Sequence, residues 1–146
     1  MKPLLKAIKA ELKARLNGVR KSDIFITPHR NYVPHGVGFP AVGIKDGAVN
    51  REELTGNLLD ETLAVSLIPY VRAFPDEKSV MGGTTDMGIL DLVQALHTIL
   101  DDNLLDLPGM EAAFCRNEKE SEMFGKPDSG LQRKIIVYNY EQRSDR

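Results

Sequence analysis

Leu5, Ile8, Leu12 and Leu16 fall three or four residues apart, so a helix would gather them into one apolar stripe. The spacing predicts an amphipathic helix over Met1 to Leu16. Pro3 suits its first turn, where the missing N–H costs nothing. Lys6, Lys9, Lys13 and Arg15 lie mostly off the stripe and form a solvated face. Asn17-Gly18 ends the helix, because both residues tolerate the left-handed backbone common past a C-terminus. The clearest helical signal comes later, where Ile89, Leu92, Val93, Leu96, Ile99 and Leu100 repeat at three and four. Thr84 or Thr85 is the predicted N-cap, with Asp86 near the positive end of the helix, and Asp101-Asp102-Asn103 closes it. His97 lies beside the stripe and reads as a packed helix histidine, without a nucleophile or carboxylate partner along the helix.

Between and after the helices the period changes from helical to extended. Ile24-Phe25-Ile26 is a short predicted strand ending at Pro28, and a long loop rich in glycine and proline runs on to Gly38. Phe39 to Ile44 predicts a second strand, followed by a turn at Lys45-Asp46-Gly47 and a polar run from Asn50 to Asp60. Thr62 to Phe74 predicts a long strand with Leu63, Val65, Leu67 and Val71 on one face. Pro69 interrupts it, which argues for a bent or edge portion. Asp76 to Gly83 reads as a polar connection, and Met110 to Asn117 as a strand. Glu118 to Gly130 is charged and reads as a mobile loop.

The last strand, Leu131 to Tyr140, carries apolar residues on both faces and is expected to be central. Lys134, Ile136, Tyr138 and Tyr140 share one face, while Arg133, Ile135, Val137 and Asn139 share the other. Glu141 to Arg146 is expected to be a frayed tail. The expected class is α+β, one domain over residues 1–146, with two α-helices packed on one face of a mostly antiparallel sheet. The second face of that sheet is left to offer a partner.

Composition narrows the function classes. The 146 residues are 42% hydrophobic and 27% charged, enough for one core. Nineteen basic against 21 acidic residues give a net charge of −2, which lacks the basic excess of a broad nucleic-acid binder. Cys115 is the sole cysteine, so no intrachain disulfide forms, and a reducing compartment is the expected home. No apolar run reaches the roughly 20 residues that span a bilayer, so no membrane partner is expected.

A search for chemistry returns little. Gly82-Gly83 precedes a helix but lacks the third glycine and the Lys-Ser or Lys-Thr of a phosphate loop. His29 and His35 sit six apart without a third ligand, so no metal site is expected. Glu52-Glu53 and Asp101-Asp102 are adjacent pairs that do not face one another on a helix. No catalytic residue, metal or cofactor is assigned.

Several stretches, taken in order, carry a resemblance. Phe39-Pro40-Ala41-Val42 opens a strand, and a polar loop with Gly47 and Glu52-Glu53-Leu54 follows. The strand from Glu61 to Val71 comes next. Near the end an Asp128-Ser129-Gly130-Leu131 turn leads into Val137-Tyr138-Asn139-Tyr140-Glu141. This order resembles the tail-terminator family of long-tailed phages. About a third of the chain matches closely, while the long loop to Gly38 and Pro69 depart from the pattern. The resemblance implies a hexameric ring of identical subunits on the head-proximal end of the tail tube, in the virion tail, assembled in the host cytoplasm. Such a ring stops tube growth and presents the head-attachment surface. Its implied partners are itself, the tail-tube protein and the head-tail connector, with DNA only as cargo.

On that view the charged residues at the end of the fourth strand and after it become interface candidates: Arg116, Glu118, Lys119, Glu122, Lys126 and Asp128. Each is equally an ordinary solvated loop residue. Arg133 and Lys134 would line a channel for DNA, or act as edge charges that discourage aggregation. The competing readings are another ring component of the phage neck, a small cytosolic enzyme with a site assembled across the fold, and an adaptor domain.

Overall fold

The computed structural model describes residues 1–74, 76–125 and 130–145. Helix α1 spans Lys2–Arg15, and a single 3-10 turn at Lys21–Asp23 leads into strand β1, Ile24–Ile26. Strands β2 (Ala41–Leu54) and β3 (Leu58–Arg72) follow. Then come a four-residue helix α2 (Lys78–Met81) and helix α3 (Ile89–Leu100). Strands β4 (Met110–Glu118), β5 (Glu122–Phe124), β6 (Leu131–Arg133) and β7 (Ile136–Asp145) complete the chain.

The seven strands among the described residues join one sheet with β3 at its centre. On one side β3 pairs with β2, and β1 runs parallel outside β2. On the other side β7 pairs along the first part of β3 and β6 along the last, with β4 outside β7 and β5 outside β6. Every pairing except β1–β2 is antiparallel. Helices α1 and α3 lie together on one face, and the expected α+β class and its two-helix layer are what the chain adopts. Leu4, Ile8, Leu12 and Leu16 of the first stripe are buried, with Leu4 rather than Leu5 at the sheet. Full burial of such side chains contributes about 1.5–3 kcal/mol each. They meet Val42, Ile44, Leu63, Val65, Leu67, Ile136, Tyr138 and Tyr140 from the strands.

Several expectations need correction. No turn forms at Lys45-Asp46-Gly47. The ladder shifts register between Asp46 and Val49 instead, and β2 continues to Leu54. An added Cβ at Gly47 would meet the Ala64 carbonyl oxygen at 2.7 Å, so the glycine serves the close approach of a bulge rather than a hairpin. The true turn lies at Thr55-Gly56-Asn57, where Gly56 (φ 76°) and Asn57 (φ 63°) supply the left-handed backbone. The polar run from Asn50 to Asp60 is thus the tip of a long β2–β3 arm. The tail expected to fray extends this arm, because Glu141–Asp145 pair with Leu58–Thr62.

Pro69 is not at an edge. Its carbonyl accepts from Lys134 N–H (3.4 Å), so its absent N–H faces the break between β6 and β7, where no partner is required. Helix α3 begins after Gly88, not at Thr84 or Thr85, and the Asp91 carboxylate accepts from Gly88 N–H at 3.1 Å. The region expected as a plain connection holds α2, and the expected loop after Glu118 contains β5.

The face opposite the helices is only half covered. Phe25, Ala41, Ile68, Tyr70 and Ile135 are buried there beneath Val33, Val37 and Phe39, with Phe124 and Leu131 packed alongside. Asp23 pins this cover. Its carboxylate, 2% exposed, accepts from Arg20 Nε (2.8 Å) and Gly38 N–H (2.9 Å). Beyond the cover, Ala64, Val137 and Asn139 stay half-exposed and Phe114 is 40% exposed.

Candidate interaction surface

The sequence candidates gather where β4, β5 and β6 end, but they divide into two kinds. Four are committed internally. Glu118 accepts from Lys134 Nζ (2.5 Å) with one oxygen and meets His97 Nε2 (2.8 Å) with the other. Burial pushes its carboxyl up, yet the hydrogen bonds and charges of Lys134 and His97 outweigh that and hold it below the usual range. Arg133 donates to Glu122 (2.8 Å) and to the Arg30 carbonyl (3.0 Å), and its guanidinium lies 4.2 Å from the Phe124 ring centroid. Tyr70 donates to the same carbonyl (3.0 Å). Arg133 and Lys134 are each 8% exposed, and β6 is flanked by β3 and β5. Arg133 is a strut that holds the loop and β5 on the sheet, whereas Lys134 anchors Glu118 at the end of β4.

Arg116 and Lys119 are the other kind. The β4–β7 ladder shifts between Cys115 and Asn117, so Arg116 is the extra residue of a bulge, a device that re-aims a side chain. Both are exposed, and their side chains have no partner among the described residues. With Arg30, Asn117 and Val137 they line a shallow hollow. Arg30 was not a sequence candidate, and the cover loop brings it there from 86 residues before Arg116. Lys126 and Asp128 lie outside the described residues.

A second hollow, of about 520 Å³, sits at the far end of β4 and β7. Glu52, Asp60, Glu111 and Glu141 line it with Asn50 and Thr62, and with Arg51, which is paired to Glu61 at 2.9 Å. Arg143 meets Asp60 (2.7 Å) and reaches Glu111 (3.8 Å), holding Asp60 below its ordinary range. Glu52 and Glu141 have no partner among the described residues. Sequence reading missed this site because it took Asn50 to Asp60 as a polar run without strand register. Alternation along a strand would have set Asn50, Glu52, Asp60 and Thr62 on one face.

His97 also has more company than expected. Asp101, four residues on, lies 3.5 Å from Nδ1, and Tyr138 bridges them. Tyr138 gives its one proton to Asp101 (2.5 Å), so its oxygen accepts from His97 Nδ1–H (2.6 Å). Burial and the neighbouring Asp101 push the Tyr138 phenol far up, which keeps it a neutral donor. Cys115 is no activated thiol here, since burial and Glu118 push its pKa up. Neither hollow described above is lined by His97, Asp101, Tyr138 or Cys115. Among the described residues no group of three or more His, Cys, Asp or Glu is placed to hold a metal ion, and no helix is long and apolar enough to cross a membrane.

What these features define is a two-layer α+β chain that carries two groups of exposed, unpaired charges on its open sheet face. No family model and no curated protein matches the sequence. The fold is similar to that of a chain from a solved structure described as the virion of a native gene transfer agent (GTA) particle. The TM-score is 0.60 at 10% sequence identity, over 97% of this chain and 95% of that one. At that identity the likeness is one of fold.

Proposed function

We propose that this chain is a structural subunit of a phage-like particle, and specifically a tail terminator. In this reading six copies close into a ring on the head-proximal end of the tail tube. The ring halts tube polymerisation and offers the surface to which the head-tail connector binds. DNA passes through it only as cargo. The observation that carries the reading is the fold likeness to a virion chain along nearly the full length of both. The element order that resembles tail terminators supports it from the sequence side. An open sheet face with unpaired charges at both ends suits a protein that works by contact. The role needs no turnover, since ring closure follows from subunit interfaces alone.

The test is electron microscopy of the purified protein mixed with tail-tube subunits as they polymerise. Tubes of bounded length capped by a sixfold ring are the expected result. Tubes that grow unchecked and bare of this protein would sink the reading and favour another neck component, such as a connector or tail-completion protein.

A further inference from the structure

We infer that neighbouring copies of this chain meet head to tail, the acidic hollow of one receiving the basic end of the next. The inference rests on the ring reading above and gives that ring its contact. Strands β4 and β7 carry the two patches on the uncovered face. Glu111 and Glu141 mark the acidic end, with Glu52 and Asp60 beside them on the arm. Arg116 and Lys119 mark the basic end, with Arg30 beside them on the cover loop. Five residues of extended chain separate Glu111 from Arg116, roughly 17 Å at the rise of a strand. The patches are therefore distinct surfaces rather than one mixed cluster.

Their charges are available. Glu52, Glu141, Arg30, Arg116 and Lys119 are exposed, and none of their side chains has a partner among the described residues. Like ends repel across a contact and unlike ends attract, so a second copy is guided to set its basic end on the acidic hollow. A cyclic ring joins two different patches of each subunit, and this face supplies two of opposite sign. The strip between them also lacks something. The Asn139 side-chain oxygen is shielded from solvent and has no donor among the described residues, and Phe114 beside it is 40% exposed. A neighbouring copy is placed to cover Phe114.

The experiment uses two double variants of the full chain, Arg116→Glu with Lys119→Glu, and Glu52→Lys with Glu141→Lys. All four positions are exposed, and a thermal melt checks that each variant folds. Rings on tube ends are counted by electron microscopy with tail-tube subunits present, and native mass spectrometry counts copies. Each variant alone should lose about tenfold or more of the wild-type rings. An equimolar mixture should restore them, because alternating copies put unlike charges together at every contact. Variants that form rings as well as wild type, or a mixture that stays unassembled, would overturn the inference and leave the ring standing. A mixture that recovers only as a pair of copies would replace the head-to-tail contact with a two-fold one. A wild-type chain that forms no ring at all would remove the ring reading and this inference together.

Discussion

His97 of α3 and Glu118 at the end of β4 stand 21 residues apart in the chain and meet at 2.8 Å. That contact ties the helical layer to the strand that bears Arg116 and leads into Lys119. Glu118 also neutralises Lys134, whose side chain is only 10% exposed. Removing the carboxylate leaves a buried ammonium group without its counter-charge.

Glu118→Ala should accordingly lower stability at pH 7 by about 1–3 kcal/mol, read by urea unfolding. The pH dependence follows from the lowered carboxyl. A group held below its unfolded value stabilises the fold above that value and ceases to do so as pH falls through the native one. The wild type should therefore lose its advantage over Glu118→Ala as pH drops below the ordinary 4.5 of a glutamate. A gap that stays constant down to pH 2 would show that charge is not what the pair contributes.

The cover on the second face depends on one carboxylate. Asp23→Ala leaves the Gly38 N–H and the Arg20 guanidinium without their acceptor. The expected cost is about 1–3 kcal/mol, with faster amide exchange across residues 28–38. Exchange that rises evenly over the whole sheet would mean that Asp23 serves global stability rather than this loop.

Much of this architecture is legible in the periodicity. The two helical stripes, β1, the inward row Leu63, Val65, Leu67 and Val71, and the central last strand all follow from alternation and spacing. Other features depend on distant partners and leave no local mark. Pro69 signals an edge to any local rule, yet it sits in the central strand because the chain breaks between Arg133 and Ile136 opposite it. Asp46-Gly47 has the composition of a turn, but the arm it interrupts gains pairing along β3 and bends there instead. The candidate charges were found as a cluster, whereas their division into struts and free groups was not. Arg133 and Lys134 alternate like surface residues, and only distant partners bury them: β5 and the cover loop for Arg133, Glu118 at the end of β4 for Lys134.

Tyr140 tests the cost of an unmet group. Its side chain is wholly buried between sheet and helices, and its hydroxyl has no partner among the described residues. Tyr140→Phe keeps the ring and removes the unpaired oxygen. The substitution should leave stability unchanged or raise it by up to about 1 kcal/mol. A loss greater than about 1 kcal/mol in a thermal or urea melt would reveal a partner for this hydroxyl that the structure does not describe.

Gly109 decides whether the arm keeps its third strand. Its φ of 78° is left-handed, and an added Cβ would collide with the Arg143 carbonyl oxygen. The Gly109 carbonyl in turn accepts from Arg143 N–H at 2.9 Å, so this turn clamps the end of β7. Gly109→Ala meets two penalties, about 1–2 kcal/mol for the left-handed backbone and a displacement of Arg143. Because Arg143 also holds Asp60 and approaches Glu111, the shift reaches the acidic hollow. The expected outcome is a fold that melts lower, with amide protection lost from Glu141 to Asp145 first and α1 and α3 unaffected. If protection at the end of β7 survives the substitution, the clamp is dispensable, and the pairing of β7 with Leu58–Thr62 holds the arm by itself.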